Sequence, residues 1–329
     1  MRQYRQLSYR EMARIEICLQ AGMKPCEIAI RLGRNKSTIS RFIGKNHAKD
    51  GRFNADRAWE KVAERKHRAN SHPRILNESL LEKFVLEKIE TFWTPEQIAG
   101  RWKQITGEPL SHETVYLYIY KHHPEMVSLY FRRRGKKYRN NRQKEARSRK
   151  HTHDMRMIDL RPQEVDERRE LGHWEGDSIV GSPDKKQIIL TNVERKSGYL
   201  MAAKSSTRTA SVVADLTEDM FNGLPDELRV SITYDQGTEF SLHRVIEAST
   251  RMTVYFCHKS SPWERGTNEN TNGLLRWFIP KGSNFETVTE KDLQHYVDLL
   301  NSRPRKRLNF LTPAEVFEKE VRKKSCSSD

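Results

Sequence analysis

Two apolar, strand-like runs in the back half of the chain each carry an aspartate, and this pairing restricts the fold more than any other feature. Residues 172–181 read as an extended segment holding Asp177 and closed by a glycine. Residues 228–237 read as a strand with Asp235 at its end, just before a Gln-Gly turn. A third acid lies further on. Ser261-Pro262 and Arg265-Gly266 are turn signals, after which a polar run starts a helix at Thr267 that continues into Leu274, Leu275, Trp277 and Phe278. Glu269 and Arg276 are seven residues apart on that helix, two turns, and so share a face. A lone helical glutamate is ordinarily a solvated surface group. Beside two upstream aspartates it reads otherwise. Three carboxylates do not stay together as anions without a compensating cation, and carboxylate oxygens are the hard ligands that Mg²⁺ or Mn²⁺ prefers. The economical reading is a divalent-metal phosphoryl-transfer site.

The elements around these acids run in a definite order. After the Asp177 strand come strand-like runs at 187–193 and 199–203, a helix over 209–221, the Asp235 strand, a helix near 242–249, a short strand at 252–257 and the Glu269 helix. That α/β layout resembles ribonuclease H, in which the first strand pairs with its neighbours as hairpins and in parallel with the strand bearing the second acid. Such pairing sets Asp177 beside Asp235, and the returning helix brings Glu269. Glu175 lies on the strand face of Asp177 and is a spare ligand; Glu239 is expected to orient the turn after Asp235. His173 and His258 read as packing or neighbouring DNA contacts. Trp174 and Trp277 read as core, with Trp263 open to either packing or base stacking.

The front half looks different. Residues 1–150 carry a net charge of +18 and the remainder −2, so the holding of a polyanion belongs to the front and the chemistry to the back. Ser8 caps a helix through residue 20, with Met12, Ile15, Ile17 and Leu19 as its apolar positions. Pro25 opens a second helix to Leu32, and Gly33-Arg34-Asn35 turns into a third that runs through Ile43. This is the layout of a helix-turn-helix with Lys36, Ser37, Thr38 and Arg41 presented to the major groove, although a plain three-helix bundle with a basic face would share the pattern. Residues 49–74 read as a linker or partly helical connector. Helices at 76–91, 95–105 and 113–120 form a second helical unit whose last helix is rich in tyrosine, suited to weaker DNA contact or to assembly. The run from 131 to 150, with Arg132, Arg133, Arg134, Lys136 and Lys137, is the most basic segment and suits phosphate neutralisation. The four cysteines fit no paired zinc spacing and are expected as free thiols. No apolar run is long enough to span a bilayer, and the N-terminus lacks a signal-peptide core.

At this point the chain resembles bacterial transposases of the insertion-sequence-thirty family, within the DDE transposase and retroviral-integrase group. The resemblance rests on residues 26–41 in front, on Gly172-His173-Trp174-Glu175-Gly176-Asp177, on Asp235-Gln236-Gly237-Thr238-Glu239-Phe240, and on residues 265–276. The 33 residues between Asp235 and Glu269 are similar to that family's spacing. It implies a Mg²⁺- or Mn²⁺-dependent enzyme in which Asp177, Asp235 and Glu269 hold two ions and Arg276 sits near a phosphate of the transposon end. It also implies double-stranded DNA partners (element ends and target), a homodimer or higher oligomer on DNA, and a cytoplasmic, nucleoid-associated protein with no membrane partner. The organisation expected is a helix-turn-helix domain at 1–48, a linker at 49–74, a second helical domain at 75–125, a basic linker at 126–164 and a ribonuclease-H-like catalytic domain at 165–329. The rival reading is a DNA-binding regulator derived from such a protein. A nuclease acting on RNA–DNA hybrids is a third.

Overall fold

The computed structural model describes residues 6–47, 52–70, 74–131, 154–182, 186–259 and 261–325. The chain divides into two compact units, residues 1–79 and 80–329.

The first unit is helical. Helix α1 (Tyr9–Gln20) begins on a capping box in which Ser8 and Glu11 satisfy each other's backbone N–H groups. Helix α2 (Pro25–Arg31) follows with proline in its first turn, and α3 (Lys36–Asn46) is capped by Asn35. Met12, Ile15, Ile28 and Ile39 are fully buried where the three meet. Ile17, expected inside, is 65 % exposed. Helical spacing places Cys18 on the inward face instead, one turn on from Ile15. The helical part of the expected connector is α4 (Ala55–Asn70), packed on α1. Ala58 is fully buried there, Glu16 accepts the Ala55 N–H at 2.8 Å, and Tyr9 donates to Asp56 at 2.6 Å. One face of α4 is apolar enough to dock, a weak pattern among many charges. A single helical turn, α5 (Arg74–Asn77), completes the unit.

The second unit starts with a helical module. Helices α6 (Ser79–Glu90), α7 (Pro95–Thr106), α8 (His112–His122) and α9 (Pro124–Tyr130) close over Leu81, Val85, Ile89, Ile98, Val115 and Ile119. Of the three tyrosines on α8, Tyr118 is buried and donates to Glu82 at 2.6 Å, whereas Tyr120 is exposed. The basic residues Arg132, Arg133, Arg134, Lys136 and Lys137 lie outside the described residues.

After the short helix α10 (Gln163–Asp166) comes a five-stranded sheet in the order β3-β2-β1-β4-β5. Strands β1 (His173–Val180), β2 (Ile188–Glu194) and β3 (Leu200–Ser205) form antiparallel pairs; β4 (Ser231–Tyr234) and β5 (Thr253–Phe256) run parallel to β1. Helices α11 (Ala210–Asn222) and α12 (His243–Thr250) connect them, and α13 (Gly266–Phe278), α14 (Glu290–Asn301) and α15 (Pro313–Ser325) follow. One core cluster holds Trp174, Phe221, Ile232 and Phe256; another holds Ile189, Val193, Leu275 and Phe285, where α13 and α14 meet the sheet. Antiparallel hairpin, then parallel crossover strands, is the ribonuclease-H-like arrangement.

Candidate active site

Strand register brings the two aspartates together. Glu175 on β1 pairs with Thr233 on β4 in parallel. Two residues further along both strands stand Asp177 and Asp235, side by side on one edge of the pleat. Gly176 lets this happen, because a Cβ there would fall 2.2 Å from the Tyr234 ring. The carboxylates share one guanidinium: Arg265 Nη1 lies 3.3 Å from Asp177 Oδ1 and Nη2 3.2 Å from Asp235 Oδ2. Arg265 also donates to the Gly176 carbonyl at 2.8 Å. Asp177 accepts further from the Ser178 N–H and from Asn272 Nδ2, each at 2.9 Å, and Asp235 from the Gly237 N–H at 3.0 Å. Burial pushes the Asp235 carboxyl above its ordinary value, opposed by Arg265 and reinforced by Asp177 and Glu239.

Glu269 lies on the same flank of α13 as Arg265, Asn272 and Arg276, one turn beyond Arg265, and is exposed. Among the described residues no set of three His, Cys, Asp or Glu is arranged to hold a metal ion. The two aspartates are joined through Arg265, and Glu269 lies on the adjoining flank of α13 without completing a three-acid set with them. The donor chemistry of the pair fits a divalent cation: hard oxygens meet where a positive charge already sits. Arg276 donates to the Val180 carbonyl at 2.6 Å, closing α13 onto the end of β1.

Glu175 is not a spare ligand. It is 1 % exposed, faces Arg195 at 3.5 Å, and accepts the Asn268 N–H at 2.9 Å. Asn268 in turn donates to the Glu175 carbonyl at 2.7 Å, so this pair clamps α13 to β1. Glu239, expected to orient the turn after Asp235, instead takes Ser178 Oγ on β1 at 2.6 Å and Arg208 Nη2 at 2.7 Å. His173 is buried against Ser231 Oγ, and His258 bridges Asp159 and Glu264. Trp174 is core, Trp277 stacks on Phe278 and Trp263 is 72 % exposed. In the first unit Lys36, Ser37 and Arg41 are exposed and Thr38 half-buried, all on α3. Sequence reasoning passed over Arg265, Asn268 and Asn272. Arg265 and Asn272 stand four residues before and three after Glu269, which puts them on its flank, whereas Asn268 is its immediate neighbour and faces β1.

The integrase core domain family matches residues 167–262 and the helix-turn-helix domain family residues 3–46. The chain is 37 % identical over 335 residues to the transposase InsI for insertion sequence element IS30A of Escherichia coli (strain K12), covering 96 % of this chain and 84 % of that one. It is 34 % identical over 324 residues to the transposase for insertion sequence element IS1086 of Cupriavidus metallidurans, covering 95 % and 94 %. Among solved structures, the catalytic core domain of BIV integrase aligns at 22 % identity over 47 % of this chain and 98 % of that chain, with a TM-score of 0.37. Sequence identity of this extent, running from the helix-turn-helix through the integrase core, makes the chain a member of the insertion-sequence-thirty (IS30) family of transposases.

Proposed function

We propose that the chain cuts and joins DNA at the ends of an insertion element, with Asp177, Asp235 and Glu269 as its metal-binding acids. The observation that carries this is the meeting of Asp177 and Asp235 on adjacent strands, beside the helix flank that bears Glu269. Bound Mg²⁺ or Mn²⁺ supplies Lewis-acid charge to the reacting phosphate and its nucleophile. The chain's own groups do the positioning. Asn272 and the Ser178 N–H fix the Asp177 carboxylate, the Gly237 N–H fixes Asp235, and the Glu175–Asn268 clamp sets the height of α13 and so of Glu269. Arg276 is assigned to a phosphate of the element end.

DNA is held by the front of the chain, through Lys36, Ser37, Thr38 and Arg41 on α3, with Arg132, Arg133, Arg134, Lys136 and Lys137 neutralising phosphates beyond it. The domain limits read from the sequence stand in this proposal, with α4 added to the first. Two element ends must be held at once, which calls for a dimer or higher assembly on DNA. Among the described residues no helix is long and apolar enough to cross a membrane; a place in the cytoplasm on the nucleoid is part of the proposal.

The test is a supercoiled plasmid bearing the element's ends, incubated with Mg²⁺. Nicking and joining are expected to fall by at least about a thousandfold in Asp177→Asn, Asp235→Asn and Glu269→Gln, while duplex affinity stays within about threefold. Joining that survives in Asp235→Asn would falsify the assignment.

A further inference from the structure

Behind α13, on the flank away from Asp177 and Asp235, lies a cavity of about 270 Å³ lined by Arg168, Arg305, Arg307, Gly198 and the start of α13. On a helical wheel its lining residues Thr267, Asn270 and Thr271 stand opposite Arg265, Glu269, Asn272 and Arg276. Three guanidiniums therefore meet at a place the catalytic acids do not reach.

Their hydrogen bonds go to neutral oxygens. Arg168 Nη2 donates to Thr267 Oγ1 at 2.9 Å, Arg307 Nη1 to the Lys196 carbonyl at 2.6 Å, and Arg305 Nη2 to the Leu300 carbonyl at 3.3 Å. Among the described residues none of the three forms an ion pair with a carboxylate. The nearby acid Glu194 is fully buried, and its oxygens are taken by the Ser197 N–H and hydroxyl and the Lys196 N–H. Burial lowers the Arg305 guanidinium to about 10, with Arg307 adding repulsion; Arg307 is lowered by burial and then by Arg168. By solvent exposure Arg168 and Arg305 are half-buried and Arg307 is exposed, and Glu194 and Glu175 offset part of the Arg307 charge, so what favours an anion is the meeting of three like charges at one cavity mouth.

The site is also shaped to keep its cations. Gly198 has φ +75°, and a Cβ there would sit 2.6 Å from Arg307 Nη2, so any larger residue would push that guanidinium aside. In the first turn of α13 the Asn268 N–H is already taken by the Glu175 carboxylate, so the donors that the cavity offers are its guanidiniums. Gly266, Asn270 and Arg307 are exposed, so the mouth opens to solvent.

We propose that this cavity holds a phosphate of a DNA backbone passing along the flank of α13 opposite the catalytic acids. Planar guanidinium forks converging on one cavity suit a phosphate's several oxygens. The choice of DNA over a free anion rests on the reading of the chain as a transposase. The site gives the enzyme a hold on a DNA segment distinct from the one facing Asp177.

Two measurements on the full chain, both in EDTA, test this without any chemistry on DNA. In the first, affinity for a duplex lacking element ends is measured against salt for wild type and for Arg168→Gln/Arg307→Gln. The expected result is a salt slope shallower by about one and a five- to tenfold loss at about 0.1 M salt, the same for any sequence; an unchanged slope overturns the proposal. In the second, wild-type arginines are labelled with phenylglyoxal and read by mass spectrometry, which needs no folded variant. Duplex is expected to protect Arg168 and Arg307 at least fivefold. Labelling at the free-chain rate overturns the proposal, and so does protection by inorganic phosphate at matched ionic strength with none from duplex, which would mark a free-anion site. Failure of the catalytic reading would appear separately, as joining by Asp235→Asn, and would leave both measurements standing.

Discussion

At the scale of single residues, charge compensation is arranged so that folding does not wait for an ion. Arg265 sits between Asp177 and Asp235 with 12 % of its side chain exposed and pairs with both, offsetting one of their two negative charges. Chelation is therefore expected to lower the melting temperature of the wild-type chain only slightly, because an ion must compete with Arg265 for the pair. In Arg265→Ala the two carboxylates repel, and millimolar Mg²⁺ is then expected to raise the melting temperature, which calorimetry would register. A second residue-scale case lies in the first unit. The Arg34 guanidinium beside Glu11 and the Ser8 N–H and hydroxyl hold the Glu11 carboxyl far below its ordinary 4.5, at about 2. A depressed folded-state value means stability that is present above pH 4.5 and drains away as pH falls toward 2. Glu11→Gln is expected to loosen α1 by about 1 kcal/mol at neutral pH, the usual worth of a cap. That gap between variant and wild type should close near pH 2, as amide exchange of α1 would show; a gap constant with pH would refute the account.

At the scale of elements, α13 is the part whose placement decides the site. Its apolar residues Leu274 and Leu275 seat it on the sheet, while Asn268, 0 % exposed, pins its first turn to β1 and β2 through the Glu175 and Thr191 carbonyls. Asn268→Ala leaves those carbonyls unpaired, at a cost of about 2 kcal/mol. The expected signature is a joining rate lowered ten- to a hundredfold with duplex affinity unchanged; a proportional loss of both would mean general unfolding instead. Much of this was legible in the chain. Period-two and helical patterning, with glycine and proline punctuation, gave every strand and the order that brings Asp177 to Asp235. Glu175 was misread because strand alternation fixes a face but not depth: Glu175 and Asp177 share a face, yet only Glu175 lies beneath the first turn of α13. Helix α4 was legible only as a linker or partly helical connector, because Phe53, Ala55 and Ala58 are few apolar contacts among many charges. The arginine cavity escaped notice since Arg168 and Arg307 are 139 positions apart and meet only through the fold.

At the scale of the whole second unit, the helical module and the catalytic core form one packed body. Phe92 meets Trp277 and Phe278 edge-on at 5.3 and 5.0 Å, and Arg101 pairs with Glu315 while donating to the Phe310 carbonyl at 3.2 Å. Phe92→Ala is expected to cost about 2 kcal/mol, reading between a core and a surface aromatic, and to separate the module's melting from that of the sheet in calorimetry. A single cooperative transition in the variant would show that the contact is dispensable. The strap that follows α14 has a further consequence. Lys306 reaches Glu96 on α7 at 2.7 Å, while its neighbours Arg305 and Arg307 line the cavity behind α13. One short piece of backbone is thus anchored to the module on one side and to the anion pocket on the other. Any coupling that this strap carries is reciprocal: an anion that favours the seating of α7 is favoured by that seating by the same factor.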